Sequence, residues 1–445
     1  MTQVNKRGVR AWMLADWAGQ PFHTLCITFV FAPYFVEFGL GGGAQAQATW
    51  GYMTGAAALV IALLAPVLGA MADVSGPRKP WIAGLSALHI IAVAALWLGV
   101  PAMEDPWIIL LAFALALIGT ELAFIFLNAM LPDLGSEDEI GRISGSAWAM
   151  GYLGGLVSLI IVLGLMVGDP ETEKTMLGTD PILGLDPTLG EGSRAAGPFS
   201  AIWYAVFIIP LFLFTPDTKR KPVAVSARLG LQQLWAMIRD LPNRPSLMNF
   251  LLSSMFYRDA LAALYSFAGI YAAGVLGIGI IELGIFGILA NITGAVGAWI
   301  GGKVDSRKGP KPVVVFNVIV LAAASLTLTL TTATSFVGIS FAEGSNAATL
   351  IFFALGGVIG AAGGSLQAAS RSLMVRQATD PEVMTQSFGL YGLAGKATAF
   401  LGLFLIGIVT DITQSQQLGV TPVIGLFLLG LVLLYWVKPK GDIRA

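Results

Sequence analysis

Gly69-Ala-Met-Ala-Asp73-Val-Ser-Gly76-Pro77-Arg78-Lys79 returns 232 positions later as Gly301-Gly-Lys-Val-Asp305-Ser-Arg307-Lys308-Gly309-Pro310-Lys311. Each copy sets a carboxylate four residues after a glycine, beside a Gly-Pro turn and basic side chains. Each lies between apolar runs long enough to cross a bilayer. The separation is about half of the 445-residue chain, so the chain reads as two similar halves. Parallel repeats of membrane-spanning units are a carrier architecture.

Composition points to the same solvent. Hydrophobic residues make up 56% of the chain and charged residues 11%, against roughly 25% charged in an ordinary soluble domain. The mean hydropathy is +0.79. Glycine is abundant at 54, as expected where helices approach closely in lipid. A net charge of -1 gives no electrostatic case for a nucleic-acid partner. One cysteine, Cys26, excludes an intrachain disulfide and reads as a small core residue. The two histidines, His23 and His89, are too few and too far apart for a metal centre. His89, alone on an apolar segment, reads as a packed neutral ring, and His23 leans the same way.

Apolar runs bounded by Gly, Pro and charge give twelve expected helices of about 20 residues or more. They fall at 11–36, 49–72, 80–100, 106–131, 143–167, 198–215, 248–275, 279–302, 312–334, 347–373, 383–410 and 420–437. The fold class is therefore all-α integral membrane, with two six-helix pseudo-symmetric halves at 1–215 and 248–445. A connecting segment, 216–247, joins them, and its Leu229–Ile238 stretch reads as an amphipathic surface helix. Charge placement tests the count. With both termini on one side, 21 of the 25 basic residues share that side, including Lys6, Arg142, Lys219, Arg220, Lys221 and Lys438. Only Lys174 and Arg194 lie opposite. The positive-inside rule then puts both termini and the connecting segment in the cytoplasm. The acidic outer loop 168–197 reads as a solvated loop.

Several blocks carry a closer resemblance. The repeated loop resembles the signature of the major facilitator superfamily. Leu14-Ala-Asp16-Trp17-Ala18 with Pro33-Tyr34-Phe35 resembles the first span of the vacuolar amino-acid effluxer family, an autophagy-related branch with bacterial members. So do Asn128-Ala-Met-Leu-Pro132-Asp133, Gly141-Arg142-Ile-Ser144-Gly145 and Gly151-Tyr152-Leu-Gly154-Gly155. Further on, Phe256-Tyr257-Arg258-Asp259, Gln367-Ala-Ala-Ser370-Arg371-Ser372, Phe388-Gly389-Leu-Tyr391 and Gly395-Lys396 fit the same family. The chain departs at Gly19-Gln20-Pro21, where relatives tend to carry Asn-Ser after Trp-Ala. The resemblance implies transport of a small solute, with the fungal members exporting neutral amino acids. It implies a monomer in the cell membrane, or in the vacuolar membrane of a eukaryote, with no cofactor and with protons as coupling ion.

A charge in the bilayer core costs roughly 2.5–3.5 kcal/mol, so each needs a partner or a wet cavity. Those within the expected spans are Asp16, Glu121, Arg258, Asp259 and Lys396. In the superfamily, spans 1, 4, 7 and 10 line a central cavity, which would receive Asp16, Glu121, Arg258 with Asp259, and Gln367 with Arg371. Glu121 and Asn128 are seven apart and share a helical face, as do Gln367 and Arg371, four apart. Arg258 and Asp259 point about 100° apart, so only one can meet a given partner. Tyr152, Tyr257 and Tyr391, from the family blocks, complete the candidate site. The rival reading for these charges is a set of salt bridges that only holds the bundle together. Fixed charges in a cavity suit the ends of a zwitterion, and Glu121 is the expected coupling carboxylate. In the superfamily the carboxylates of such loops meet the N-termini of neighbouring helices and basic side chains, so the resemblance implies a cytoplasmic gate of Asp73, Arg78, Lys79, Asp305, Arg307 and Lys308.

Other classes fare worse. Gly297 to Lys303 imitates a nucleotide-binding loop, but Val304 replaces the required hydroxyl and the stretch is an apolar helix. No nucleophile–base pair or metal-ligand cluster marks an enzyme. The alternative reading is a non-transporting assembly factor or receptor on the same fold.

Overall fold

The computed structural model describes residues 5–217, 227–276, 280–342, 345–378, 380–397 and 401–442. Lys219, Arg220 and Lys221, on which part of the topology argument rests, lie outside the described residues. The chain starts with α1 (Lys6–Pro21), then runs through a wider π winding, Phe22–Phe29, into α2 (Phe31–Tyr34) and a second wide turn, Phe35–Gly39. There follow α3 (Gly43–Ser75), α4 (Lys79–Ala94), α5 (Trp107–Ala129), α6 (Glu137–Ile161) and α7 (Glu191–Phe214). A shorter helix, α8 (Ala227–Asp240), leads to α9 (Pro245–Gly274), α10 (Ile280–Lys308) and α11 (Pro310–Thr329). A two-residue-per-strand hairpin pairs β1 (Ser335–Phe336) with β2 (Ile339–Ser340). The chain closes with α12 (Ala347–Gln377), α13 (Met384–Ala397), α14 (Leu401–Thr413), α15 (Gln416–Gly419) and α16 (Thr421–Leu434).

Among the described residues, eleven helical runs are long and apolar enough to cross a membrane, α13 and α14 counting as one run. The twelfth expected span is present as α9, which is 30 residues long but falls outside that set. Ser246, Asn249, Ser253, Ser254, Tyr257, Arg258 and Asp259 dilute its hydropathy. Its hydroxyls are internally satisfied: Ser253 Oγ donates to Gly430 O at 2.7 Å, and Ser254 Oγ to Leu251 O at 2.8 Å. A polar helix is tolerated in lipid when its polar atoms face protein.

The first span departs from the single helix expected over 11–36. Pro21 and Pro33 each remove a backbone donor, and the chain responds with the wide winding after Pro21 and a break at Val30, at φ -123 and ψ -71. Such π segments are frequent at functional sites.

The halves touch closely at the end carrying the two repeated loops, the basic end. There α3 packs along α13 and α6 along α10. A methyl on Gly69 would stand 2.7 Å from Thr385 O, and one on Gly302 2.6 Å from Gly141 O, so only hydrogen fits. Toward the other end the α3 face opens. Gly51 and Gly55 have nothing within 4 Å, Tyr52 is 80% exposed, and no comparable packing joins α3 to α14 among the described residues. Outside the bundle, α8 forms where an amphipathic helix was expected. Its buried Leu234 and Met237, with Gly230 against Met71, cover α3, while Leu231, Trp235 and Ile238 stay exposed.

Candidate functional site: a charged cavity between the halves

A cavity of about 380 Å³ lies between the halves. Into it α1 and the winding after it place Asp16, Gln20 and His23, α5 places Glu121 and Asn128, and α6 places Trp148 and Tyr152. From the other half come Tyr257 and Arg258 on α9, Gln367, Ser370 and Arg371 on α12, and Tyr391 and Lys396 on α13. To the lining expected from spans 1, 4, 7 and 10, with Tyr152, Tyr391 and Lys396, the cavity adds Ile61 of α3.

Nearer the basic end, Arg371 is held on all sides. Its Nη1 and Nη2 each donate to Asp16 Oδ2 at 3.1 Å, and Nη1 also reaches Asn128 Oδ1 at 3.2 Å. Nε donates to Ser144 Oγ at 2.9 Å and Nη2 to Ser144 O at 2.8 Å. The guanidinium carbon stands 5.0 Å from the Trp12 ring centre and 5.7 Å from that of Trp148. Ser144 in turn donates to Ala368 O at 2.8 Å. Asp16 and Arg371 are both buried, so this bidentate pair fixes α12 against α1, α5 and α6.

A second pair sits in a more open part. Lys396 Nζ lies 3.1 Å from Glu121 Oε1, and each side chain keeps a quarter of its surface exposed. This pair also crosses from one half to the other. Arg258 stands in the same cavity; Nη1 donates to Tyr391 O at 3.0 Å and the guanidinium lies 4.5 Å above the Tyr391 ring. Polar side chains fill in around these charges. Gln367 Nε2 reaches Tyr152 Oη at 3.4 Å, and the Tyr257 and Ser370 hydroxyls meet at 2.8 Å.

Of the cavity residues expected from sequence, Asp16, Glu121, Asn128, Tyr152, Tyr257, Arg258, Gln367, Arg371, Tyr391 and Lys396 all line this space. Asp259 does not. One residue beyond Arg258 on α9, it is buried within its own half, its backbone carbonyl against Gly402 of α14. The 100° step between neighbours is the reason. Sequence reasoning passed over Gln20, His23 and Ser370 as lining residues, and Trp12 and Ser144 as supports of Arg371. Gln20 and His23 follow Asp16 by four and seven residues, so the face was readable. His89 is fully buried away from the cavity, Nδ1 at 2.8 Å from Ala116 O.

The gate candidates divide. Asp73, at the end of α3, accepts from Thr385 N at 3.2 Å and from Gln386 N at 2.8 Å. It thereby caps the first turn of α13, where the helix dipole favours a carboxylate. Arg78 links the same corner, with Nε to Thr385 Oγ1 at 3.0 Å and Nη1 to Asp133 Oδ2 at 2.7 Å. Lys79 Nζ donates to Phe212 O at 2.9 Å, within its own half. Asp305 is buried against Gly141 in the first turns of α6, the symmetry-related place, with Ser372 and Arg376 beside it. There Arg142 N donates to Ser306 Oγ at 2.8 Å and Arg376 Nη2 to Glu137 O at 3.2 Å. Arg307 and Lys308 are exposed and make no hydrogen bond or ion pair among the described residues; Arg376 takes the place expected for them.

Comparison with known proteins places this architecture. A family model described as "Vacuole effluxer Atg22 like" matches residues 35–444. The uncharacterized MFS-type transporter YxiO of Bacillus subtilis is 25% identical over 439 residues, spanning 97% of this chain and 94% of that one. Autophagy-related protein 22 of Cryptococcus neoformans is 22% identical over 289 residues, 62% of this chain and 47% of that protein. The chain thus spans about half the length of the fungal relatives. Among solved structures, the human organic anion transporter MFSD10 superposes with a TM-score of 0.66 at 17% identity, covering 97% of this chain and all of that one. A bacterial homologue of the iron transporter ferroportin, in its outward-facing state, gives 0.67 at 15% identity over 98% and 99% of the two chains. Those likenesses establish the major facilitator fold, and these relatives are transporters rather than enzymes. The chain belongs to the Atg22-like vacuole effluxer family and is a multi-pass membrane transporter of the major facilitator type.

Proposed function

We propose that the chain is a secondary active carrier moving a small polar solute, with an amino acid or related metabolite favoured, by alternating access. The observation that carries this reading is the pair of ion pairs, Asp16–Arg371 and Glu121–Lys396, each joining one half to the other across the cavity. Halves that rock apart must break or exchange such bonds. A zwitterion brings both signs of charge to such a cavity, and its ammonium can replace Lys396 beside Glu121. The cavity volume falls within the roughly 300–1,000 Å³ of small-molecule sites. We take residues 1–215 and 248–445 as the moving halves, joined by 216–247, with both termini cytoplasmic in the cell membrane and the protein acting as a monomer without a cofactor.

Sidedness follows from charge. With the basic end in the cytoplasm, the close packing there and the open outer face of α3 describe an outward-facing state. The interactions of Asp73 and Asp305 form the closed cytoplasmic gate. We assign Glu121 to proton coupling, because it is the carboxylate whose only ion-pair partner among the described residues comes from the other half and stays partly exposed to the cavity. Proton-driven export suits this arrangement.

Purified protein in liposomes provides the test. A carrier accelerates saturable exchange of labelled amino acids, and a proton-coupled one accumulates them when a pH gradient is imposed. Glu121→Gln should lose gradient-driven accumulation and keep exchange. Saturable binding without any flux would instead establish the receptor or assembly-factor reading.

A further inference from the structure

We propose that Arg258 is the docking point for a carboxylate of the cargo, so that a single carboxylate is an obligatory part of the transported solute. The proposal rests on the carrier's cavity and deepens that reading by naming the chemical class. Three cations and two carboxylates face the cavity. Arg371 is neutralised by Asp16, and Lys396 by Glu121. Arg258 is left over. Among the described residues no carboxylate lies within ion-pair distance of it, and its one hydrogen bond, from Nη1, goes to a backbone carbonyl.

The Arg258 charge reaches Glu121 only at longer range, and a guanidinium without an ion pair of its own inside a membrane protein is costly unless function retains it. The site is built to hold this one. The ring of Tyr391 supports its face at 4.5 Å, and Gly395 leaves the space the guanidinium occupies, since a methyl there would collide with its Cζ and Nη1 atoms. With one bond to Tyr391 O, most of the fork remains for a ligand, and a guanidinium fork matches a carboxylate in a bidentate manner. The charge surplus is one, which suits a monoanionic group better than a phosphate dianion. Lys396 and Glu121 in the same cavity then meet whatever polar group lies at the other end of the solute.

The test works with the cargo unidentified. Alanine, leucine, phenylalanine and glutamine are each supplied as free amino acid, amide, decarboxylated amine and N-acetyl acid. Binding to the full-length purified protein is read by thermal shift, and flux by counterflow in liposomes. Members carrying a carboxylate should stabilise the protein, and the amides and amines should not; the N-acetyl acids report whether an ammonium group is also needed. R258Q should weaken the carboxylate members about tenfold or more, while its unliganded Tm stays at or above wild type because no carboxylate is stranded. R258K should fall between the two. If R258Q does not fold, G395A, which displaces the guanidinium without removing it, should give the same loss. Amides binding as tightly as acids, no member binding at all, or wild-type affinity in R258Q and G395A would each overturn the proposal. Tight carboxylate-dependent binding without flux would leave the carboxylate site at Arg258 standing, as the site of a bound ligand, and remove the carrier reading instead.

Discussion

Two ion pairs of similar length differ in what surrounds them, and mutation should separate them. Asp16 and Arg371 are buried with almost every polar atom engaged, so R371M strands a carboxylate and should cost about 3–5 kcal/mol. The double variant D16N/R371M strands nothing and should recover most of that loss; a double variant no more stable than R371M would show that Arg371 acts through packing against Trp12 and Trp148 alone. Glu121 and Lys396 keep a quarter of their surface exposed to the cavity, so Glu121→Gln should cost less stability than R371M while changing transport. Wild-type accumulation with a wild-type pH profile in Glu121→Gln would remove it from the mechanism. The candidate residues themselves were legible, because charge inside an apolar run is rare and helical spacing groups Glu121 with Asn128 and Gln367 with Arg371. Their pairing was not, since Arg371 meets Asp16 across 355 residues and Lys396 meets Glu121 across 275. Helical periodicity carries no information at that range.

The repeated loops look alike in sequence and end in unequal interactions, which gives a prediction about elements. Asp73 accepts two backbone amides at the start of α13; the Asp305 carboxylate accepts no backbone amide among the described residues, and α6 already has its own cap in Ser136 and Glu139. Asp73→Asn keeps one acceptor oxygen and loses the charge, so it should loosen α13 from α3 and raise reagent access to the cavity from the basic end. A bias of about 1 kcal/mol would shift a balanced equilibrium roughly five-fold. Asp305→Asn should act more weakly. Equal effects in the two variants, read by labelling of a cavity cysteine, would mean that helix capping is not what holds the gate. The number and order of the long helices were readable from apolar runs and positive charge. The wide winding at Phe22–Phe29 was not, although Pro21 marks where a donor is missing, because whether a helix breaks or merely widens there depends on the neighbours that receive it. The polar α9 was also read from its apolar run at 248–275, although its polar residues keep it outside the set of strongly apolar helices.

At the scale of the whole molecule there is one orientation and one motion. The orientation predicts that a cysteine at position 228, in a Cys26→Ser background, is reached by impermeant reagent only after the cells are opened, whereas one at position 173 is reached in intact cells; the reverse pattern would invert the topology. The motion is the central claim: the halves close at the basic end when they open at the other, and the ion pairs across the cavity are exchanged as they do. Spin-label distances measure it without a known solute. One pair, at positions 52 and 408, spans the halves at the open end, and a second, at positions 142 and 307, spans them at the basic end, where both native side chains are exposed. Double electron–electron resonance in lipid should show one dominant distance for each pair in the wild type. In Asp73→Asn a second population should grow in which the 142–307 distance lengthens while the 52–408 distance shortens. Distances that stay single and unchanged in both pairs, or that lengthen together, would contradict alternating access in this protein.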